Sequence, residues 1–193
     1  MTLYNVVTRR GDAPTVLLDI LTVLMGSLVL VLSAKISVPF YPVPLTMQTF
    51  AVIGLGLALG PWRAGAAILV YLCEGAAGLP VFAGTPQKGV GLAYMMGSTG
   101  GYLLGYVPSV LVAGWLARRG WDKDPLPAMA AALLAGAIIY VPGLLWLGIV
   151  IGFDKPVLQY GLIPFIPGDI VKASLAALVF PIVWKWLDAR SSH

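Results

Sequence analysis

Four ionisable side chains fall inside apolar stretches long enough to cross a bilayer: Asp19, Glu74, Asp169 and Lys172. An ionised group deep in a membrane costs about 3 kcal/mol or more, so each needs a partner or a use. Asp169 and Lys172 stand three residues apart, which on a helix puts them on one face, where they can neutralise each other away from water. Asp169 follows Pro167 and Gly168, and helix capping would account for it without a ligand. Capping does not account for Lys172, although a lysine one turn inside a span can also extend its ammonium to the interface. The favoured reading is a pair that meets a polar ligand. Asp19 stands near the start of its apolar run, where a carboxylate faces water and the positive end of a helix dipole, and reads as structural. Glu74, followed by Gly75-Ala-Ala-Gly78, either pairs with a neighbouring helix or approaches a cavity, and both readings stay open.

Other chemistries find little support. Gly84-Thr-Pro-Gln-Lys-Gly89 lacks the spacing and the Gly-Lys-Ser/Thr ending of a phosphate-binding loop, so the chain is not expected to hydrolyse ATP. Its one histidine is the terminal His193, which argues against histidine metal sites and Ser-His catalysis. Cys73 is the sole cysteine and reads as a buried thiol in an apolar run. No catalytic residue, metal or cofactor is expected. The net charge of +4 is carried by basic residues scattered singly or in pairs, a pattern that orients helices in a membrane and does not form a nucleic-acid surface.

The elements that must position the candidate pair follow from hydropathy. With 59% hydrophobic and only 10% charged residues, the solvent for most of the surface is lipid. Six apolar stretches, over residues 16–34, 43–60, 63–79, 90–116, 128–151 and 168–187, predict an all-α integral membrane protein of six transmembrane helices, a single polytopic domain over 1–193. Arg9 and Arg10 precede the first stretch, which is longer than a signal-peptide core and lacks a good cleavage pattern, so it reads as a retained helix. With both termini cytoplasmic, the inner segments hold Arg9, Arg10, Arg63, Arg118, Arg119, Lys123, Lys185 and Arg190, whereas the outer ones hold Lys35, Lys88 and Lys155. That bias favours a multi-pass protein of the cell membrane with its termini inside.

The outer segments 36–44 and 79–89 are rich in Pro, Gly and aromatic residues, and are expected to fold over the bundle as a lid. The second, fourth and sixth spans then run from outside to inside, so Thr46, Gln48, Tyr102, Asp169 and Lys172 converge beneath that lid. Phe50, Phe82 and Phe165 are expected to line the same space, which suits a half-apolar small molecule with a hydrogen-bonding head. Gly97, Gly101 and Gly105, Gly56 with Gly60, and Gly148 with Gly152 recur every four residues and read as helix-packing positions.

Most of the chain resembles BioY, the biotin-binding S component of energy-coupling factor (ECF) vitamin transporters. The resemblance rests on Ile36-Ser-Val-Pro-Phe-Tyr-Pro-Val-Pro-Leu-Thr-Met-Gln-Thr-Phe50, Leu59-Gly-Pro-Trp-Arg63, Gly78-Leu-Pro-Val-Phe-Ala-Gly84, Ser98-Thr-Gly-Gly-Tyr102 and Pro164-Phe-Ile-Pro-Gly-Asp-Ile-Val-Lys172. It implies a six-helix S-component bundle with cytoplasmic termini and an extracellular-side pocket closed by the first and third outer loops. It further implies that Asp169 and Lys172 contact the ligand's polar groups, with Gln48, Thr46, Gly101 and Tyr102 nearby. The transported ligand would be biotin, and the partners a membrane scaffold protein and two cytoplasmic ATPases. Which end of biotin meets Lys172, what receives its carboxylate, and whether the chain also pairs with copies of itself are left open. An S component for another vitamin, such as thiamine or riboflavin, is the first rival. A membrane-embedded enzyme using Glu74 or Asp169 as a general base, and a passive channel, are the others.

Overall fold

Helices dominate the computed structural model, which describes residues 2–8 and 15–191. Arg9, Arg10 and His193, which figure in the sequence argument, lie outside the described residues. A short helix α1 (Leu3–Thr8) precedes the long α2 (Thr15–Lys35). A small hairpin follows, pairing β1 (Ser37–Val38) with β2 (Leu45–Thr46) antiparallel so that Ser37 faces Thr46 and Val38 faces Leu45. Next come α3 (Gln48–Leu59), α4 (Pro61–Ala76), α5 (Gly91–Met95), α6 (Gly100–Arg118) and α7 (Pro125–Ile151). The chain closes with α8 (Val157–Gly161), a 3₁₀ turn at Ile163–Phe165, and α9 (Ile166–Ser191).

Among the described residues, four stretches are helical, long and apolar enough to cross a membrane: Val16–Lys35, Gly100–Arg118, Pro125–Ile151 and Val157–Ala189. The expected second and third spans form shorter helices. α3 has 12 residues, a length of about 18 Å against a hydrocarbon core of about 30 Å. The shortening has a local cause: residues 45 and 46, expected in the helix, pair in the hairpin instead, leaving α3 to begin at Gln48. The expected fourth span is divided into α5 and α6 by a turn at 96–99. Its backbone is satisfied without a helix, because Gly100 N–H donates to Gly97 O at 3.1 Å and Trp146 Nε1 donates to the same carbonyl at 2.9 Å. α9 begins at Ile166, so Pro167 and Gly168 belong to its first turn and Asp169 stands inside the helix, not at its cap.

α6 is the central helix, packed most extensively along α7 and flanked by α3 and α4, while α2 lies on α4 and α9 on α7. Close approach of α6 and α7 depends on Gly101 and Gly105. A Cβ on Gly101 would lie 2.3 Å from Pro142 O, and one on Gly105 would lie 2.7 Å from Ile139 O. Gly97, the third residue of that series, is in the turn before α6 and not on the packing face, and Gly148 is covered by the ring of Phe153, just past the end of α7. Toward one end of the bundle the core is alanine-rich, with Ala113, Ala117, Ala131, Ala135, Ala173 and Ala176 buried around Leu57 and Phe180. Toward the other it is aromatic, with Tyr71, Phe82, Tyr94, Tyr102, Tyr106 and Phe165. The outer faces of α2 and α9 remain apolar, with Leu17, Leu21, Leu24, Leu28, Ile170, Leu178 and Ile182 exposed as lipid-facing residues are. Cys73 is exposed, contrary to the expected buried thiol, because its position on α4 points away from α2 and α6.

The alanine-rich end carries structural polar clusters. Arg63 Nε donates to Asp19 Oδ1 at 2.7 Å, and the Tyr4 hydroxyl donates to the same carboxylate, tying α1, α2 and α4 together. Toward the other end of α4, where Gly75 packs against the Phe82 ring, Glu74 accepts a hydrogen bond from Ser27 Oγ at 2.5 Å, an α2–α4 link, so of its two readings the structure takes the neighbouring helix. In the α6–α7 turn the Asp122 side chain is fully buried, with Trp184 Nε1 donating to Oδ2 at 2.6 Å and Oδ1 without a partner among the described residues. Burial pushes this carboxyl above its ordinary pKa, more than the Trp184 bond and Lys123 pull it down. Asp122 therefore binds its proton more readily in the folded than in the unfolded chain. Its contribution to stability improves as pH falls through the raised folded value and levels off below the ordinary 3.8. Asp122→Asn keeps an acceptor for Trp184 and is expected to flatten that part of the pH response. Thermal unfolding in detergent between about pH 7 and about pH 4 checks this, and an unchanged slope in the variant would assign the response to other groups.

Candidate functional site

At the aromatic end, the hairpin and the 77–90 loop fold over the bundle and are held there by specific bonds. Lys35 Nζ, at the end of α2, donates to Pro80 O at 2.6 Å, Phe82 O at 3.0 Å and Thr85 Oγ1 at 3.2 Å. Tyr94 OH donates to Ala83 O at 2.8 Å, and Ser98 Oγ donates to Pro42 O at 2.7 Å, joining the α5–α6 segment to both loops. A helix ending in lysine beside a Pro- and Gly-rich loop produces this clamp, since such a loop presents carbonyls that no regular structure satisfies.

Beneath the loops lies a partly open cavity. The start of α3 supplies Gln48 and Thr49, with Thr46 just ahead, its Oγ1 accepting from Gln48 N–H at 3.2 Å. α6 supplies Tyr102 and Tyr106, α7 supplies Ile139 and Tyr140, and Phe165 and Lys172 complete the far wall. Val43, Pro44, Ala83 and Tyr94 close the loop side.

Two hydrogen-bonded groups set the polarity of this space. Gln48 is buried, with Nε2 donating to Tyr71 OH at 2.6 Å and Oε1 accepting a long bond from Tyr106 OH at 3.5 Å, so the amide is held on both sides. Lys172 Nζ donates to Thr49 Oγ1 at 2.7 Å and to Asp169 Oδ1 at 3.3 Å, leaving one of its three N–H groups for a guest. Tyr140 OH donates to the other oxygen of Asp169. The side chains of Lys172 and Asp169 are 12% and 21% exposed, so the pair is only weakly screened by solvent.

Thr46, Gln48, Tyr102, Phe165 and Lys172 thus face one cavity, as their convergence requires. Asp169 lies one layer behind, lining a second, apolar-walled groove between α3, α7 and α9 that shares Thr49, Tyr140 and Lys172 with the cavity. Phe82 and Gly101 do not line the cavity. Phe82 is fully buried behind Tyr94, stacked on it at 4.9 Å and edge-on to Tyr71 at 5.4 Å, and Gly101 is sealed against Pro142 and Trp146. Phe50 faces a groove toward α2 instead. Thr49, Tyr94, Thr99, Tyr106 and Tyr140 complete the site, and none of them is among the residues expected there from the sequence. Their signals are present all the same: Tyr106 is one helical turn after Tyr102, Thr49 adjoins Gln48, and Tyr140 interrupts an otherwise apolar span. Among the described residues no group of His, Cys, Asp and Glu is arranged to hold a metal ion.

An amide, several hydroxyls and a compensated ion pair within aromatic walls can orient a small, partly apolar molecule through hydrogen bonds. Fold and cavity together define a helical membrane protein of the small-molecule-binding class. The BioY family model matches residues 7–189, and the chain belongs to the BioY family. It is 40% identical over 146 residues to "Probable biotin transporter BioY" of Pyrococcus horikoshii, covering 76% of this chain and 83% of that protein. It is 36% identical over 151 residues to the biotin transporter BioY of Thermotoga maritima, covering 78% and 86% of the two chains. A crystal structure of the S-component for biotin from an ECF-type ABC transporter has the same fold, with a TM-score of 0.74 over 89% of this chain and 93% of that one at 22% identity.

Proposed function

We propose that this chain is the biotin-capturing S component of an ECF-type vitamin transporter, taking its ligand at the outer face and passing it inward with an ATP-driven partner module. The observation that carries the reading is the joining of Lys172, Thr49, Asp169 and Tyr140 by hydrogen bonds at the wall of a closed-over cavity in a BioY-family chain. A ureido ring presents two N–H donors and one carbonyl acceptor. The acceptor suits the free N–H of Lys172, and the donors suit hydroxyl oxygens on the cavity wall such as Thr46 Oγ1, while Asp169, one layer behind, fixes Lys172 and Tyr140 in place. Thr46, Gln48, Tyr102 and Phe165 shape the rest of the ligand's surroundings.

In this reading the bundle crosses the membrane six times, with the short α3 and α4 making the second and third crossings. Arg63, Arg118, Arg119, Lys123 and Lys185 belong to segments at the end away from the cavity, whereas Lys35, Lys88 and Lys155 belong to segments at the cavity end. That bias favours cytoplasmic termini and a cavity facing out. The partners are a membrane scaffold protein and two cytoplasmic ATPases, in keeping with the ECF-type transporter from which the structural neighbour comes. Calorimetry on the purified protein with biotin, thiamine and riboflavin tests the assignment. Biotin alone should bind tightly, and a preference for either of the other two would overturn it.

A further inference from the structure

We propose that Lys88, in the loop between α4 and α5, receives the carboxylate of the ligand at the mouth of the cavity. The inference rests on the biotin reading and concerns the end of the molecule remote from the ureido ring.

Charge balance motivates it. Among the described residues, the one cation lining the cavity is Lys172, and it stands 3.3 Å from Asp169, so the pair is electrically compensated before any guest arrives. A ligand carboxylate placed beside the pair would leave net negative charge in a poorly solvated space, which is unfavourable. The anionic end is therefore better accommodated away from the pair, toward the loop side of the cavity.

Pro44, Tyr94 and Thr99 bound the cavity on its loop side and also line a neighbouring, open hollow at the surface. Among the described residues, Lys88 and Ser98 stand in its wall and no acidic residue does. Lys88 is exposed and, among the described residues, makes no ion pair. Its position is not arbitrary. A Cβ on Gly84 would lie 2.9 Å from Lys88 Cδ, so the lysine stem rests on a surface that only glycine leaves free. Lys88 N–H also donates to Gly84 O at 2.9 Å, within the loop that Lys35 clamps to α2. A cation on an anchored loop, in a hollow that shares its wall with the binding cavity, fits an extended ligand with a polar neutral head and an anionic tail.

Biotin and its methyl ester, titrated into the wild-type protein and into Lys88→Gln and Lys88→Glu, separate the outcomes. An exposed, partly screened ion pair leads to a preference of the wild type for the acid over the ester of about fivefold, larger at low ionic strength. Lys88→Gln should abolish that preference while binding the ester as the wild type does, and Lys88→Glu should favour the ester. An acid preference that survives in Lys88→Gln, or equal losses for acid and ester, would overturn the role of Lys88. Absence of binding of either compound to the wild type would overturn the biotin reading itself.

Discussion

Lys172→Ala is expected to weaken biotin binding about a hundredfold, the largest loss among substitutions in the cavity. The change removes the cavity's cation together with its bonds to Thr49 and Asp169, and strands a carboxylate that is only 21% exposed. Asp169→Asn should cost less, about tenfold, because the amide keeps one oxygen to accept from Tyr140 or Lys172. Calorimetry gives the affinities, and thermal unfolding of each variant separates lost contacts from lost fold. Wild-type affinity in both variants would reject the assignment of the site.

Gly101→Ala should instead act on the fold. The added methyl would lie 2.3 Å from both Pro142 O and Trp146 Cβ, where neither a backbone carbonyl nor the base of a packed tryptophan yields easily. Forcing α6 from α7 should destabilise the protein by about 1–3 kcal/mol, read as a lowered unfolding temperature in detergent. Gly168→Ala, at a position with nothing within 4 Å of the new methyl, provides the neutral control. If Gly101→Ala lost affinity while unfolding at the wild-type temperature, Gly101 would be a ligand contact and not a packing residue.

The contrast between Gly101 and Lys172 shows what a sequence discloses about such a site. Charges in apolar runs are conspicuous because their cost is large, which is why Lys172 and Asp169 stand out from the residue pattern alone. Gln48 and Thr46 are legible through depth, since they open the same span. Tyrosines carry a weaker signal: Tyr106 and Tyr140 are apolar enough to pass as span residues, and their roles become plain when α6, α7 and α9 meet. Phe82 and Gly101 illustrate the converse, motif residues that are near the ligand space in sequence but serve the packing behind it. The division of the fourth stretch at 96–99 is hidden for a related reason, since its backbone and side-chain partners, Trp146 and Pro42, come from distant segments. Hydropathy identifies the membrane class and the placement of the long helices, but it does not register how far α3 is shortened by pairing within the hairpin.

The shared position of Thr49, Tyr140 and Lys172 between cavity and groove makes the ligand chamber's flank a partition one side chain thick. On its far side are hydrocarbon-compatible walls from Ile53, Leu133, Ile166 and Ile170. If the ionic couple orients a guest as proposed, it is also the insulation between that guest and the acyl-chain phase, so recognition and the exclusion of lipid would rest on one set of bonds and fail together.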